Sequence, residues 1–150
     1  MLKYKQIMEV YSEIPDEITL AINIANCPIQ CPDCHSKELW KDTGKDLTQR
    51  ALERMIREHD GISCVCFMGG DAEPEIINML GAVVQTNGLK SAWYSGRDKL
   101  PLEVCAQNFN FIKLGPFIKE KGPINKPTTN QRLYEITDKG MIDITHRLWT

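Results

Sequence analysis

Three cysteines, Cys27, Cys31 and Cys34, stand at C-x-x-x-C-x-x-C spacing directly after an apolar run over residues 19–24. Thiolates this close together can converge on one soft-metal centre, and Pro28 and Pro32 stiffen the loop that carries them. Their number decides what kind of centre. A closed structural zinc site takes four ligands, and a simple electron-transfer [4Fe–4S] cluster takes four cysteines. A cubane held by three leaves one iron without a protein ligand, open to an exogenous chelator, which is a catalytic arrangement. A zinc site would draw its fourth ligand from His35, His59 or His146. His35 adjoins Cys34, which makes joint ligation awkward, and the other two histidines are not at finger spacing. A zinc-stabilised protein and a plain electron carrier remain as non-catalytic alternatives. No signal peptide is visible, so the expected setting is reducing and cytoplasmic, without disulfides.

The elements that must hold this loop repeat along the chain. At 150 residues a single domain over 1–150 is expected, large enough for a core. The run at 19–24 reads as a strand buried on both sides. Thr48 can cap a helix running to about residue 58, with Ala51, Leu52, Met55 and Ile56 at helical spacing. A strand over 63–68 leads into Gly69-Gly70-Asp71, and a helix follows from Pro74 to about residue 85, with Gly88 as its stop. A strand over 89–94 ends at Ser95-Gly96, a weaker helix is expected over 101–106, and a strand over 109–114 ends at Gly115-Pro116. A further short strand is expected over 5–10. Residues 133–136 and 141–144 alternate around Asp138-Lys139-Gly140 and read as a β-hairpin.

Repeated βα units predict a parallel sheet with right-handed crossovers. The four unusual sequences (the cysteine loop over 27–34, Gly-Gly-Asp, Tyr-Ser-Gly and Leu-Gly-Pro) all follow strand ends, the rim where parallel α/β folds bind ligands. A complete eight-unit barrel needs at least about 200 residues. The fold class expected is therefore α/β, an incomplete TIM-like βα barrel with parallel strands. A C-terminal loop and hairpin over 119–145 complete it. The formal net charge of −2 gives no footprint for nucleic acid. No apolar run approaches the roughly 20 residues of a membrane span. Cys64 and Cys66 share one strand face, and with Cys105 they read as packing residues.

The cysteine loop after a first strand resembles that of the radical S-adenosylmethionine (radical SAM) superfamily. His35 followed by Trp40, the short chain, and the stretches Ile112-Lys113-Leu114-Gly115-Pro116 and Asn130-Gln131-Arg132 resemble the activating proteins of anaerobic ribonucleoside-triphosphate reductase. The resemblance implies that Cys27, Cys31 and Cys34 hold a [4Fe–4S] cluster whose fourth iron is chelated by SAM. Reductive cleavage of SAM would give methionine and a 5′-deoxyadenosyl radical that abstracts hydrogen from a backbone glycine of the large reductase subunit. A flavodoxin-like or other low-potential reductant would supply the electron, and no catalytic side chain is implied beyond the cluster and SAM.

The resemblance also implies the SAM contacts. Gly69, Gly70 and Asp71 stand where the superfamily has a Gly-Gly-Glu motif that holds the methionine amino group, with backbone carbonyls able to do most of the holding. Asp33 replaces a frequent aromatic residue, and its backbone would reach the adenine edge. Tyr94, Ser95, Lys113 and Gly115 would touch ribose and adenine. The runners-up are a short radical SAM enzyme acting on a small molecule, such as a deazapurine synthase, and the activase of another glycyl-radical enzyme. The loop over 119–132, with Arg132, is the segment expected to meet a protein substrate.

Overall fold

Strand order, more than any single element, sets where the cysteines emerge. The computed structural model describes residues 1–29, 41 and 43–150. Among them the chain runs β1 (Lys3–Val10), β2 (Thr19–Ile24), β3 (Lys45–Asp46), α1 (Gln49–Glu58), β4 (Cys64–Met68), α2 (Pro74–Thr86), β5 (Lys90–Tyr94), β6 (Phe111–Leu114), β7 (Arg132–Thr137) and β8 (Gly140–Asp143). The strands form one sheet in the order β3-β1-β2-β4-β5-β6-β7-β8. The central four, β2, β4, β5 and β6, pair in parallel. The flanking pairs β1–β2, β6–β7 and β7–β8 are antiparallel.

The two faces of the sheet are covered differently. Leu20, Ile22, Ile24, Val65, Phe67, Trp93 and Ile112 point to one face and pack against Leu52 and Met55 of α1 and Ile77, Leu80 and Val84 of α2. Those helix positions recur at the 3.6-residue period that lays one stripe onto a sheet. Thr48 caps α1, its Oγ1 accepting from the Ala51 backbone N–H at 3.0 Å, and Pro74 opens α2, where no donor is missed. The opposite face carries Cys64, Cys66, Ala92 and Phe111. It is covered by Ile14 from the β1–β2 connection and by Ile144 from beyond β8. No helix among the described residues is long and apolar enough to cross a membrane.

Two expectations are corrected. The helix expected over 101–106 is absent; turns there lead to a single 3-10 turn at Ala106–Asn108. The Cys105 backbone N–H, which a helix over 101–106 would direct along its own axis, is instead accepted sideways by Asn78 Oδ1 on α2 at 2.9 Å, and the same oxygen accepts from the Asn108 side-chain amide at 2.9 Å. The last of the four parallel strands starts at Phe111 instead of residue 109. Phe109 is buried, its ring 6.2 Å from that of Trp93, and belongs to the helix-side core.

Cys64 and Cys66 are fully buried on the face away from the helices. Burial pushes the Cys64 thiol up to about 12 and raises Cys66 well above the ordinary thiol range, since a thiolate there would lose its hydration. At pH 8 in the iron-free protein, iodoacetamide should therefore modify exposed Cys105 and half-buried Cys27 while sparing Cys64 and Cys66 until denaturant is added. Mass mapping of the alkylated peptides checks this; modification of Cys66 in the folded chain would contradict the burial.

Candidate metal and cofactor site

Parallel pairing brings the carboxyl ends of β2, β4, β5 and β6 to one edge of the sheet. Beyond β2, Asn26 adopts a left-handed conformation at φ 61°, which asparagine tolerates better than most side chains. Its backbone N–H donates to the Lys41 carbonyl at 3.0 Å. The chain that leaves this edge at Cys27 thus returns to it at Lys41. Cys27 is a free, half-buried thiol. Cys31, Cys34 and Asp33, with His35 and Trp40, lie outside the described residues.

Gly69, Gly70 and Asp71 follow β4 on the same edge. Both glycines have positive φ, 107° and 86°, and a Cβ on Gly70 would come within 2.5 Å of the Ile77 side chain. Glycine is required there by conformation and by the packing of α2. The carbonyls are already engaged once each. Gly69 accepts from the Trp93 indole at 2.6 Å, Gly70 from the Glu73 N–H at 3.1 Å, and Asp71 from Arg97 Nη2 at 2.7 Å. Each carbonyl keeps a second lone pair. The Asp71 carboxylate is 2% exposed and accepts from the Ser95 hydroxyl at 2.5 Å and from the Gly96 backbone N–H at 3.1 Å. Arg97 Nε lies 3.6 Å from it. Its side chain thus ties the β4 end to the β5 end and is turned into the protein.

The other residues singled out from the sequence join the same network. Ser95 is fully buried, and its Oγ also accepts from the Arg97 N–H at 3.0 Å. The Arg97 carbonyl accepts from the Gly115 N–H at 2.6 Å. Lys113, almost fully buried, donates to the Gly115 carbonyl at 2.9 Å and to Gln131 Oε1 at 3.0 Å, with its ammonium 5.5 Å from the centre of the Tyr94 ring. Tyr94 donates its hydroxyl to the Glu13 carbonyl, and burial raises its pKa well above the phenolic range. Gly69, Gly70, Asp71, Ser95, Lys113 and Gly115 are thereby brought together, with the side-chain polar atoms of Asp71, Ser95 and Lys113 turned onto protein partners. Arg132 stands apart, 3.7 Å from Asp143 across the hairpin.

Two participants carry no sequence signal: Trp93 reads as an ordinary strand residue and Arg97 as readily as a surface charge. Gly96 belongs to the Tyr-Ser-Gly rim sequence, but its own role is not readable there. The reason for Gly96 is spatial: a Cβ there would lie 2.9 Å from Ile29 Cγ1 and 3.2 Å from Ile29 Cβ. Ile29 sits between Cys27 and Cys31, so the cysteine loop is seated against the β5 end at the residue whose N–H Asp71 holds.

This arrangement assigns separable effects. Asp71→Asn leaves one of its two partners facing an amide N–H, and should lower the stability of the iron-free chain by about 1.5–3 kcal/mol, the range for a hydrogen bond to a charged group. Gly96→Val adds a branched side chain where Ile29 packs. It should reduce the iron retained after anaerobic reconstitution while denaturant unfolding of the iron-free chain changes little. Equal iron in Gly96→Val and wild type would mean that Ile29 does not seat the loop.

No curated protein and no solved structure matches the chain. A family profile described as a 4Fe-4S single cluster domain matches residues 18–134, from just before β2 into β7. The residues present fit that group: Cys27 offers a free thiol, a soft donor suited to iron–sulfur ligation, at the end of β2, and side-chain-free Gly96 makes room for the loop that carries it. The chain belongs to the family of 4Fe-4S single cluster domains.

Proposed function

We propose that the chain is a radical SAM enzyme, and specifically the activase of a glycyl-radical enzyme, with the large anaerobic ribonucleoside-triphosphate reductase subunit as its substrate. The observation that carries the reading is the pairing of a three-cysteine set in a single-cluster family with a Gly-Gly-Asp turn on the neighbouring end of β4. Three thiols from Cys27, Cys31 and Cys34 leave one iron for a chelating ligand, and the amino and carboxylate groups of SAM supply such a chelate. When bound, the cluster and SAM supply one-electron chemistry: an electron from a low-potential reductant cleaves SAM to methionine and a 5′-deoxyadenosyl radical. That radical would take a hydrogen atom from a partner glycine and leave as 5′-deoxyadenosine.

The protein's part is to bind, orient and shield. The second lone pairs of the Gly69 and Gly70 carbonyls would serve as acceptors for an ammonium group on this edge. Asp71 contributes by holding the two strand ends at fixed separation. In the superfamily-like reading, Ser95 and Gly115 offer backbone to the nucleoside, while Tyr94 and Lys113 stiffen the wall behind it. An incomplete barrel of this length lacks residues for a closed wall, and a protein substrate meeting the 119–132 loop would supply it.

Anaerobic reconstitution followed by a SAM cleavage assay tests both levels. Cys27→Ser, Cys31→Ser or Cys34→Ser should each abolish SAM cleavage, because a hydroxyl is a poor substitute for thiolate on iron, whereas Cys105→Ser should not. A glycyl-radical EPR doublet should grow on the large reductase subunit in step with methionine release. A cluster whose EPR signal ignores SAM would leave the single-cluster electron-carrier reading in its place. SAM turnover on a small heterocycle with no radical on a protein would remove the activase assignment alone.

A further inference from the structure

The face of the sheet away from the helices holds a cavity that is lined by none of Cys27, Gly69, Gly70 and Asp71. Its volume is about 250 Å³, and its walls include Glu13 from the β1–β2 connection, Tyr94 from the end of β5, Ile124 and Asn125 from the loop before β7, and Leu148. Two buried polar atoms of these walls have no hydrogen-bond partner, Glu13 Oε2 and Asn125 Oδ1. The rest of each group is accounted for. Glu13 Oε1 accepts from Ser12 at 3.3 Å, and Asn125 Nδ2 donates to Thr150 Oγ1 at 3.3 Å. Tyr94 spends its proton on the Glu13 carbonyl, so its oxygen has acceptor capacity to spare.

The two unpartnered buried atoms of these walls are both acceptors, and one belongs to a carboxylate. A buried carboxylate oxygen without a donor costs of the order of 1–3 kcal/mol or more, which a ligand bringing N–H groups and positive charge would recover. Ile124 and Leu148 supply apolar surface suited to a short alkyl stem. The cavity adjoins a shallower groove of about 500 Å³ between Tyr11 and Trp149, in which Arg147 is already ion-paired with Asp16. That guanidinium is thus committed, and among the described residues no donor reaches Glu13 Oε2 or Asn125 Oδ1.

We infer that this cavity is a binding site for a primary ammonium or guanidinium group on a short alkyl chain, with Glu13 and Asn125 as its acceptors and Ile124 and Leu148 along its stem. Such a group comes either from a lysine or arginine side chain of a partner polypeptide or from a free alkylamine. Its occupancy can be read on the iron-free chain, without loading a cluster.

The test uses the full-length, iron-free chain and follows the backbone amide of Glu13 and the side-chain amide of Asn125 by nuclear magnetic resonance. Butylammonium and ethylguanidinium chloride should give saturable shifts at both positions, while butan-1-ol and butyrate should not. Glu13→Gln should weaken butylammonium binding roughly tenfold, the factor carried by about one charge-assisted hydrogen bond. Asn125→Asp, which adds a second carboxylate, should strengthen it by a similar factor; a gain of that kind cannot come from misfolding. N-acetyl-lysine methylamide binding more tightly than butylammonium would assign the site to a polypeptide side chain, and the reverse order to a free amine. Equal shifts from butan-1-ol or unchanged binding in Glu13→Gln would each overturn the inference.

Discussion

A carboxylate almost without access to water holds the carboxyl edge of the parallel strands together. Asp71 has given up hydration and is compensated by a hydroxyl, a backbone N–H and a nearby guanidinium, the kind of partner set that a buried charge requires. Arg97 extends the tie in both directions, donating to the Asp71 carbonyl and accepting through its own carbonyl from Gly115. Lys113 continues it to Gln131, just ahead of β7. The loops after β4, β5 and β6 therefore share one hydrogen-bond network. A rim so connected can hold fixed geometry at ends that the sheet ladder itself no longer pairs.

That network accounts for the acidic residue in the Gly-Gly-Asp turn. Its side chain spans to Ser95 and Gly96. The glycines before it serve conformation and packing, and Gly96 serves the approach of Ile29. The cysteine loop is thus coupled to the β4 end through two contacts, one polar and one apolar.

The parts legible in the sequence were those with a local cause. Thr48 and Pro74 mark helix starts because capping and a missing N–H are decided within one turn. The strands at 19–24 and 63–68 stand out because burial on both faces makes them apolar throughout. The cysteine spacing speaks for itself, although Cys31 and Cys34 lie beyond the described residues. What stayed hidden depends on partners far along the chain. Asn78 takes the Cys105 backbone N–H, Trp93 reaches the Gly69 carbonyl, and Glu13 and Asn125 line one cavity. None of these has a period or a neighbour that announces it. A residue such as Asp71 is the intermediate case: its position at a strand end was readable, but the direction of its carboxylate was not.

The unequal covering of the two sheet faces has a consequence in time. The helices that seal one face lie between the strands they cover, so each arrives with its own piece of sheet as the chain is made. The thiol-bearing face is sealed by Ile14, which precedes those strands, and by Ile144 and Leu148, which follow all of them. In synthesis from the amino end, Cys64, Cys66 and Phe111 are therefore made before Ile144 and Leu148, so the seal over the thiol-bearing face is completed only by the last residues of the sequence in hand.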